Sequence, residues 1–384
     1  MFFYKLIFTF SLFMIFYTYL GYYLTLFIFS IIIRSRPLIY KEEVECPEVS
    51  ILIAAYNEEK NIYNKIENIL SSNYPQNKLI IFVVSDASTD QTNKIVSNCG
   101  YDNVNLIISP KRQGKTICEN LALKQISSEL VVFTDASVML EKNCIRNLAR
   151  HFQFNEEVGC VSTYDKSIES DTNKGEGLYV KYEMAIRSFE SKLCSLVGLS
   201  GSCYAARRQL CTELPGYVTR DFALPLIAME RGFISMDDPE AICYVKAIDD
   251  SKREFKRKVR TFTNGISTLI YKSNLLNIFR YRIFSFILWS HKVFRWLLPV
   301  FFVLLFLANC FLIVNNSFYK FFLFCQIFFY FSALFGGICN SVNIFGKFSK
   351  ICHFVCMTNI ASIIAWYHFL HGKKWATWEP TKRI

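Results

Sequence analysis

The sequence carries the tripeptide Asp-Ala-Ser twice, at 86–88 and again 49 residues later at 135–137. Each copy follows an apolar run rich in β-branched residues, in the contexts VVSDASTD and VFTDASVM. Such runs are typical of buried strands, so Asp86 and Asp135 are predicted to stand at the carboxyl ends of two strands. Open α/β sheets bind their ligands at this edge. Two carboxylates there could hold a divalent metal, a ribose or a base.

Strand-like and helix-like segments alternate through the middle of the chain. Compact apolar runs predict strands at 48–56, 79–86, 102–109 and 129–135, and the segment GKTICENLALKQI predicts a helix at 114–126. Asn57 is predicted to cap the helix that follows the first strand, with Glu58 and Glu59 in its first turn. Nearly continuous apolar strands between helices indicate a parallel sheet covered on both faces. The predicted fold class is therefore α/β, with a mostly parallel sheet.

Spacing argues against three other kinds of site. The segment SPKRQGKT ends in Gly-Lys-Thr, but the first glycine of a phosphate-binding loop would fall at Ser109. No GxGxxG follows the first predicted strand, so a Rossmann dehydrogenase is not indicated. The 14 cysteines include no CxxC pair and no zinc-finger spacing. Reduced cysteines in a cytosol-facing core are the favoured interpretation.

The charges are distributed unevenly along the chain. Of the 32 acidic residues, 31 lie between Glu42 and Glu254, while 255–378 contains fourteen Lys and Arg and no acid. A basic, acid-free stretch rich in Phe and Leu favours contact with anionic lipid head groups. A nucleic-acid partner would need a basic face on a soluble domain, and none is predicted.

Long uncharged runs predict membrane helices on both sides of the α/β region. The runs cover 6–33, 296–314, 321–338 and, more weakly, 351–370, where His353, Asn359 and His368 interrupt the apolar sequence. The chain is therefore predicted to be a multi-pass protein of the cell (inner or plasma) membrane.

The basic residues beside these runs predict the topology. Arg34, Arg36 and Lys41 follow the first run and indicate a cytosolic α/β domain under the positive-inside rule. The basic tail that begins at Lys373 should also prefer the cytosol, which a full crossing by 351–370 would prevent. That run is therefore predicted to lie in the interface or to re-enter, returning the tail beneath the active site.

Five segments, in order, resemble the family-two glycosyltransferases, which are inverting enzymes of the GT-A fold that use nucleotide-diphosphate sugars. The segments are VSILIAAYNEEKNI, VVSDASTDQT, GKTICENLALKQISSELVVFTDAS, GSCYAARRQL followed by TRDFALPLIAMERGF, and RKVRT. The resemblance covers about 49–265, with membrane segments on both sides as in the membrane-integrated, cellulose-synthase-like members.

The resemblance implies a role for each of seven residues. Asp86 would bind the base or ribose of the nucleotide. Asp135 would bind Mg²⁺ or Mn²⁺, with the second metal ligand either the Ser137 hydroxyl or a group supplied elsewhere. Asp221 would be the general base that deprotonates the acceptor hydroxyl. Arg257 and Arg260 would steady the diphosphate, and Lys115 would contact phosphate or, equally, remain a surface lysine.

Three departures from the family pattern bear on the activity. The metal motif is Asp135-Ala136-Ser137, the residue before the predicted base is Arg220, and Thr261 stands where processive members carry Trp. Without that aromatic residue, transfer of one or a few sugars to a lipid-linked or surface-glycan acceptor is favoured. A processive synthase, a scaffold that has lost catalysis and a transporter remain alternatives.

The predicted organisation has four parts. These are a transmembrane helix at 1–34, the GT-A domain at 46–250, a basic amphipathic region at 251–283, and a membrane region of two or three spans with a basic tail at 284–384. Within the third part, the arginines and the apolar residues of 253–266 fall on different helical faces. Such a helix suits membrane lipid, closure over the donor, or both. Trp375 and Trp378 in the tail are interpreted as interfacial anchors or acceptor contacts.

Overall fold

The computed structural model describes residues 1–32, 45–168, 174–246, 251–314, 316–338 and 344–377. Arg34, Arg36, Lys41 and Trp378 lie outside these residues. The described strands are β1 Val49–Ala55, β2 Leu79–Ser85, β3 Val104–Ile108, β4 Leu130–Asp135, β5 Met139–Leu140, β6 Val158–Ile168, β7 Cys203–Arg207 and β8 Ile234–Lys246. They form one sheet of order β3-β2-β1-β4-β7-β6-β8-β5. The sheet is mostly parallel, as predicted, while β7 runs antiparallel to β4 and β6 and β5 runs antiparallel to β8.

Thirteen α-helices occur in the described parts of the chain. They are α1 Phe2–Phe16, α2 Tyr22–Ile32, α3 Ile62–Leu70, α4 Thr92–Ser97, α5 Lys115–Leu123, α6 Cys144–Phe154, α7 Lys174–Leu193, α8 Arg220–Glu230, α9 Ser251–Tyr271, α10 Ile278–Leu288, α11 Phe294–Leu312, α12 Ser317–Ile338 and α13 Ile344–Leu370. Two π-helical turns, Tyr17–Gly21 and Trp289–Val293, join α1 to α2 and α10 to α11.

The side chains of β1 alternate between two hydrophobic clusters, as a strand buried on both faces requires. Ile51 and Ile53 pack with residues of α3 and α6, whereas Leu52 and Ala54 pack with residues of α5 and α8. All seven residues of β1 are buried. This explains why the sequence shows a continuous apolar run rather than alternation.

The register sets the two Asp-Ala-Ser tripeptides on either side of the end of β1. Ala55 pairs with Ser85, and Ala54 pairs with Asp135. Both tripeptides therefore begin at the same edge of the sheet, as the sequence predicted.

The prediction that Asn57 caps the next helix is wrong, because α3 begins at Ile62. Asn57 instead adopts a positive φ of 52°, and its side-chain oxygen accepts a hydrogen bond from the Thr89 N–H at 2.9 Å. Asn tolerates this left-handed conformation better than most residues. The loop after β1 is thus shaped by its contact with the loop after β2.

Four helical segments are long and apolar enough to cross a membrane, and the chain is a membrane protein. The segments are Phe2–Ile32, Ile278–Leu312, Ser317–Ile338 and Phe345–Leu370. The second begins well before the predicted run at 296–314, and its charged first half packs against the α/β domain. Leu288 and Trp296, for example, share a hydrophobic cluster with Leu226 of α8.

Helix α13 lies beside α9. Lys258 Nζ of α9 stands 4.6 Å from the ring centroid of Phe354, and Ala365 belongs to the hydrophobic cluster of Ile266 and Leu269. The Lys258–Phe354 contact joins the first halves of the two helices and the shared cluster joins their second halves, so the two helices run in the same general direction. The chain then returns to the domain, where Asn264 Nδ2 donates to the Trp375 carbonyl at 2.9 Å.

Candidate active site

A cavity of about 820 Å³ opens where the carboxyl edge of the sheet meets α9 and the membrane helices. Six of the seven residues predicted from sequence line it: Lys115, Asp135, Ser137, Asp221, Arg257 and Arg260. The structure therefore brings together residues that are as much as 145 positions apart in the chain. Asp86, the seventh, is fully buried behind this lining.

Asp86 shapes the start of α5. Its two carboxylate oxygens accept hydrogen bonds from the backbone N–H groups of Gln113, at 2.7 Å, and Gly114, at 2.9 Å. Gly114 has a φ of 98°, a conformation that glycine adopts without strain. The carboxylate thus holds the turn from which Lys115 enters the cavity, whereas Asp135 faces the cavity directly.

Lys115 and Asp135 form an ion pair of 2.6 Å, and each side chain is 33% exposed. Burial alone would lower the pKa of the Lys115 ammonium, but the carboxylates of Asp135 and Glu119 outweigh it and raise that pKa. The lysine is therefore a permanent cation at the point where a diphosphate would meet the strand-end carboxylate.

Asp221 stands in the first turn of α8, near the backbone of Gly201. Burial raises the pKa of its carboxyl above the ordinary 3.8, although Lys115, the Phe222 N–H and Lys292 act in the opposite direction. A carboxylate with a raised pKa is a stronger base, which is the property that proton removal from a hydroxyl requires.

The departure at Arg220 has a structural explanation. Its guanidinium donates to the Glu119 carboxylate at 2.9 Å, to the Thr212 carbonyl at 3.0 Å, and to Asn120 Oδ1. Arg220 and Glu119 are almost completely buried. The residue before the predicted base thus fastens α8 to α5.

The two arginines of α9 form another wall of the cavity. Arg257 makes a bidentate contact with Glu254 in the preceding turn, at 2.7 and 2.8 Å. Arg260 lies one turn further along, and the exposed Thr261 beside it also lines the cavity. The basic face predicted for 253–266 is therefore turned toward the site.

Two polar residues near the site were missed by the sequence reasoning. Asp165 lines the cavity and accepts hydrogen bonds from Ser200 Oγ at 2.7 and 2.6 Å. Lys65 is fully buried beneath Asp135 and donates to Thr134 Oγ1 at 3.0 Å and to the Val138 carbonyl at 2.6 Å. For Lys65, the sequence did offer a signal, because a lysine interrupts the apolar face of α3.

Asp135 and Ser137 offer a carboxylate and a hydroxyl to a metal ion. No cluster of three or more His, Cys, Asp or Glu side chains able to hold a metal occurs in the described part of the chain. Mg²⁺ is commonly bound through one or two carboxylates together with substrate phosphates and water. The donor set therefore fits an ion that arrives with a diphosphate.

At its membrane end, the cavity is bordered by a network of charged side chains. His291 bridges Glu183 and Glu190, with both ring nitrogens 2.6 Å from carboxylate oxygens. Arg295 pairs with Glu183 at 2.6 Å, and the Tyr22 hydroxyl donates to Glu190 at 2.7 Å. This network fastens the first and second membrane segments to α7.

The chain after α13 returns to the opposite end of the cavity. Ala376 and Thr377 line it, and a Cβ at Gly114 would lie 1.8 Å from the Ala376 carbonyl oxygen. The Lys374 ammonium stands 4.1 Å from the Tyr217 ring centroid. The described part of the tail thus lies against the predicted donor site.

Comparison with known proteins agrees with this arrangement. Residues 50–214 match the family described as Glycosyl transferase family 2. The poly-beta-1,6-N-acetyl-D-glucosamine synthase of Staphylococcus epidermidis is 23% identical over 248 residues, which cover 62% of this chain and 59% of that protein. The synthase of the same name from Staphylococcus aureus strain COL is 21% identical over 246 residues. The chain thus spans about three fifths of the length of these relatives.

A solved structure resembles the chain over almost its whole length. The mannosyltransferase PcManGT from Pyrobaculum calidifontis, in complex with GDP-Man and Mn²⁺, superposes with a TM-score of 0.74 and 20% sequence identity. The match covers 97% of this chain and 100% of that one. Residues 50–214 of this membrane protein therefore form a glycosyltransferase family 2 domain of the GT-A fold.

Proposed function

We propose that this chain is a membrane-bound inverting glycosyltransferase. It moves a sugar from a nucleotide-diphosphate donor to a hydroxyl group of a lipid-linked or surface-glycan acceptor. The supporting observation is the single cavity that Asp135, Asp221 and Arg260 line together with residues of the membrane helices, such as Thr18 and Leu298. A donor from the aqueous side and an acceptor from the membrane side can meet in such a cavity.

Asp221 acts as the general base in this proposal. Its carboxylate takes the proton of the acceptor hydroxyl while the hydroxyl oxygen attacks the anomeric carbon. The bond between that carbon and the diphosphate oxygen breaks, and the electron pair leaves with the nucleoside diphosphate. A single displacement of this kind inverts the configuration. A positioned base contributes roughly 10²–10⁴ to the rate.

Positive charge offsets the charge that develops on the leaving diphosphate. Lys115, Arg257 and Arg260 supply it from two walls of the cavity. Mg²⁺ or Mn²⁺, held by Asp135 and Ser137, would add a Lewis acid at the diphosphate oxygens. Asp86 supports the nucleotide site by fixing the turn at Gln113 and Gly114.

A panel of labelled nucleotide sugars tests the proposal. The full-length protein in nanodiscs is incubated with each sugar, with Mg²⁺, with Mn²⁺ and with EDTA, in the presence of a membrane lipid extract. We expect one sugar to be transferred or slowly hydrolysed, and the D221N variant to bind it without transfer. A protein that binds a nucleotide sugar but neither transfers nor hydrolyses it with any metal would be a scaffold.

A processive polysaccharide synthase is the second candidate, because the relatives from Staphylococcus are named as synthases of a polymer. The exposed Thr261 offers no aromatic face for a sugar ring, which favours transfer of one or a few sugars. Electrophoresis of the labelled product distinguishes the two candidates: short lipid-linked products support limited transfer, and a ladder of long chains supports the synthase.

The predicted organisation of the chain implies an orientation in the membrane. Its four parts are 1–34, 46–250, 251–283 and 284–384. We propose that the enzyme lies in the cell membrane with its catalytic domain facing the cytosol, where nucleotide sugars are made. The position of α13 beside α9 supports an interfacial placement of 351–370 and a cytosolic tail. A single cysteine at Thr381, beyond the described residues, should then resist a membrane-impermeant thiol reagent added to intact cells. Labelling from outside would mean that α13 crosses the membrane.

A further inference from the structure

The loop 199–202, which precedes β7, is bonded to the backbone of both aspartates that the proposed mechanism uses. The Leu199 N–H donates to the Asp221 carbonyl at 3.0 Å, and the Asp135 N–H donates to the Ser202 carbonyl at 3.2 Å. These bonds join the loop to the first turn of α8 and to the end of β4. A shift of the loop would therefore be transmitted to the proposed base and to the proposed metal ligand.

Gly201 is the point at which this loop approaches the side chain of the proposed base. A Cβ added there would lie 3.2 Å from Asp221 Oδ2, and it would meet no other heavy atom of the described chain within 4 Å beyond its two neighbours. Gly201 does not have a positive φ, so the backbone conformation alone does not require a glycine. The missing side chain instead leaves open space beside the carboxylate, and both residues line the cavity. An acceptor hydroxyl can reach the base through this space.

The other side of the loop is fastened to β6 through Ser200. Its N–H donates to Ser162 Oγ at 2.7 Å. Its hydroxyl lies 2.7 and 2.6 Å from the two carboxylate oxygens of Asp165, and it accepts a hydrogen bond from the Ser202 N–H at 3.1 Å. Ser200 is only 3% exposed, so water does not readily replace these partners. The Ser200 hydroxyl therefore ties the loop both to itself and to Asp165.

The surroundings of Asp165 explain why a carboxylate occupies this position. Its Oδ1 also accepts a hydrogen bond from the thiol of Cys243, its partner on the neighbouring strand β8, at 3.1 Å. The hydroxyl of Ser200 and this thiol both have a hydrogen to donate, and a carboxylate only accepts. An asparagine would direct its N–H groups toward one of these donors. The carboxylate thus fixes the direction of the Ser200 hydroxyl.

We propose that Asp165 is a positioning residue for the acceptor. Through Ser200, it holds the loop 199–202 in place, and Gly201 then leaves room for the acceptor hydroxyl beside Asp221. The proposal rests on the proposed glycosyltransferase function, and Asp165 does not touch the reacting atoms. A general base must lie within roughly 2.6–3.2 Å of the hydroxyl, and a misplacement of about 1 Å can reduce the rate by about 10²-fold.

Kinetic measurements on the full-length protein in nanodiscs test this role. The donor is the nucleotide sugar that the wild-type protein consumes, and the acceptor is the membrane lipid extract at varied concentration. The variants are S200A, D165A, D165N and the double variant D165A/S200A. The matched control is S128A, because Ser128 is also buried and donates to Ser50 Oγ at 2.7 Å near the amino ends of the strands, at the opposite edge of the sheet. Size-exclusion profiles and thermal midpoints establish that each variant is folded.

We expect S200A and D165A each to lower kcat/KM for the acceptor by about 10- to 100-fold, while the Kd of the nucleotide sugar changes by less than about two-fold. D165N should lie between the wild type and D165A. The double variant should be no worse than the poorer single variant, because both substitutions break the same contact. S128A should lower the thermal midpoint by a similar amount to S200A and leave kcat/KM unchanged.

Three results would overturn the proposal. The first is unchanged acceptor kinetics in S200A and D165A, or an equal loss in S128A, which would reduce the effect to lost stability. The second is a loss of donor affinity as large as the loss of transfer, which would assign the loop to the donor site. The third is strict additivity of S200A and D165A. A wild-type protein that consumes no nucleotide sugar would instead refute the proposed function, so the two failures are distinguishable.

Discussion

The two ends of the cavity are built in different ways. At the donor end, Asp135 and Lys115 come from segments only 20 positions apart and neutralise each other at 2.6 Å. At the membrane end, His291 contacts Glu183, 108 positions earlier in the chain. The Lys115–Asp135 pair comes from one compact α/β unit, to which α9 and the tail add further lining residues, whereas the network at the membrane end exists only when helices from distant parts of the chain meet. Local motifs can therefore reveal the first end but not the second.

The largest effect should come from Asp221, the proposed base. We expect D221N to reduce transfer by roughly 10²–10⁴, because the amide keeps the shape of the carboxylate but cannot take a proton. Nucleotide binding, measured by calorimetry, should persist. The matched control is E213Q, which alters an exposed carboxylate paired with Lys124 on the surface. D221N activity within a few-fold of the wild type would contradict the assignment.

Substituting each aspartate in turn should show that the two Asp-Ala-Ser tripeptides have different roles. D135A should abolish metal-stimulated donor hydrolysis with a small change in the thermal midpoint. D86A leaves the Gln113 and Gly114 N–H groups without their acceptor, at about 1–3 kcal/mol for each unpaired group. It should therefore lower the thermal midpoint and weaken binding of the nucleoside even without metal. If both variants lose only metal dependence, the proposed division between the tripeptides is wrong.

The pH dependence should report the environment of the base. Since burial raises the pKa of Asp221 above 3.8, its basic form is lost at a higher pH than for an exposed aspartate. The kcat/KM for the acceptor should fall as the pH decreases through this raised pKa. Because the group must be deprotonated to act, activity is full above it. The residual activity of D221N should not fall at low pH in this way. If the same fall is still observed, it reports the titration of another group.

Two glycines with positive φ can be used to test whether the tail contributes to the donor site. Gly114 has φ 98° and faces the Ala376 carbonyl, whereas Gly100 has φ 76° and nothing within 4 Å of an added Cβ. G100A should destabilise the fold by about 1–2 kcal/mol through backbone strain, and G114A should destabilise it more, because φ 98° and ψ 162° lie in a region of backbone space that is essentially restricted to glycine. G114A should in addition displace the tail or α5 and raise the KM for the donor, while G100A should not. Equal KM values would exclude the tail from the donor site.

The smallest effect is expected where the two π-helical turns meet. Y17F removes the hydrogen bond between the Tyr17 hydroxyl and Ser290 Oγ, which are 2.8 Å apart, and such a bond contributes about 0.5–1.5 kcal/mol. The thermal midpoint should fall slightly, and acceptor KM should rise more than donor KM. An S290A variant should reproduce the result, and the double variant should add little to either single change, because both remove the same contact. Additive effects would show that the two residues act independently.

Sequence reasoning predicted the α/β fold because strand ends are locally encoded, and the resemblance to the family supplied the six residues that line the cavity. Asp135 and Asp221 follow recognisable segments whose apolar pattern or motif order is visible without tertiary information. The helix boundary at Asn57 was wrong because the loop conformation depends on Thr89, 32 positions away. Local capping preferences could not compete with that contact.

The remaining parts of the site depend on distant partners. Asp165 belongs to no motif. Its position in the site is apparent only from the folded chain, in which it accepts a hydrogen bond from Ser200. Arg220 appeared to be a departure from an acidic position, yet it is bound to Glu119, 101 positions earlier. These contacts are formed by the packing of whole helices on the sheet, so the spacing of residues in the sequence carries no record of them.

Under the proposed function, the shared wall of the cavity would make the lipid bilayer a part of the site in which the acceptor is aligned. Thr18, Leu298 and Val355 come from three different apolar helical segments, and their relative positions depend on how those segments sit in the surrounding lipid. A change in hydrocarbon thickness alters helix tilt at a modest free-energy cost per ångström. Membrane composition can therefore adjust how well the acceptor is aligned without altering a single side chain of the donor pocket. If the proposed function is correct, a cell that changes its lipid composition would change the activity of this protein through the surrounding bilayer.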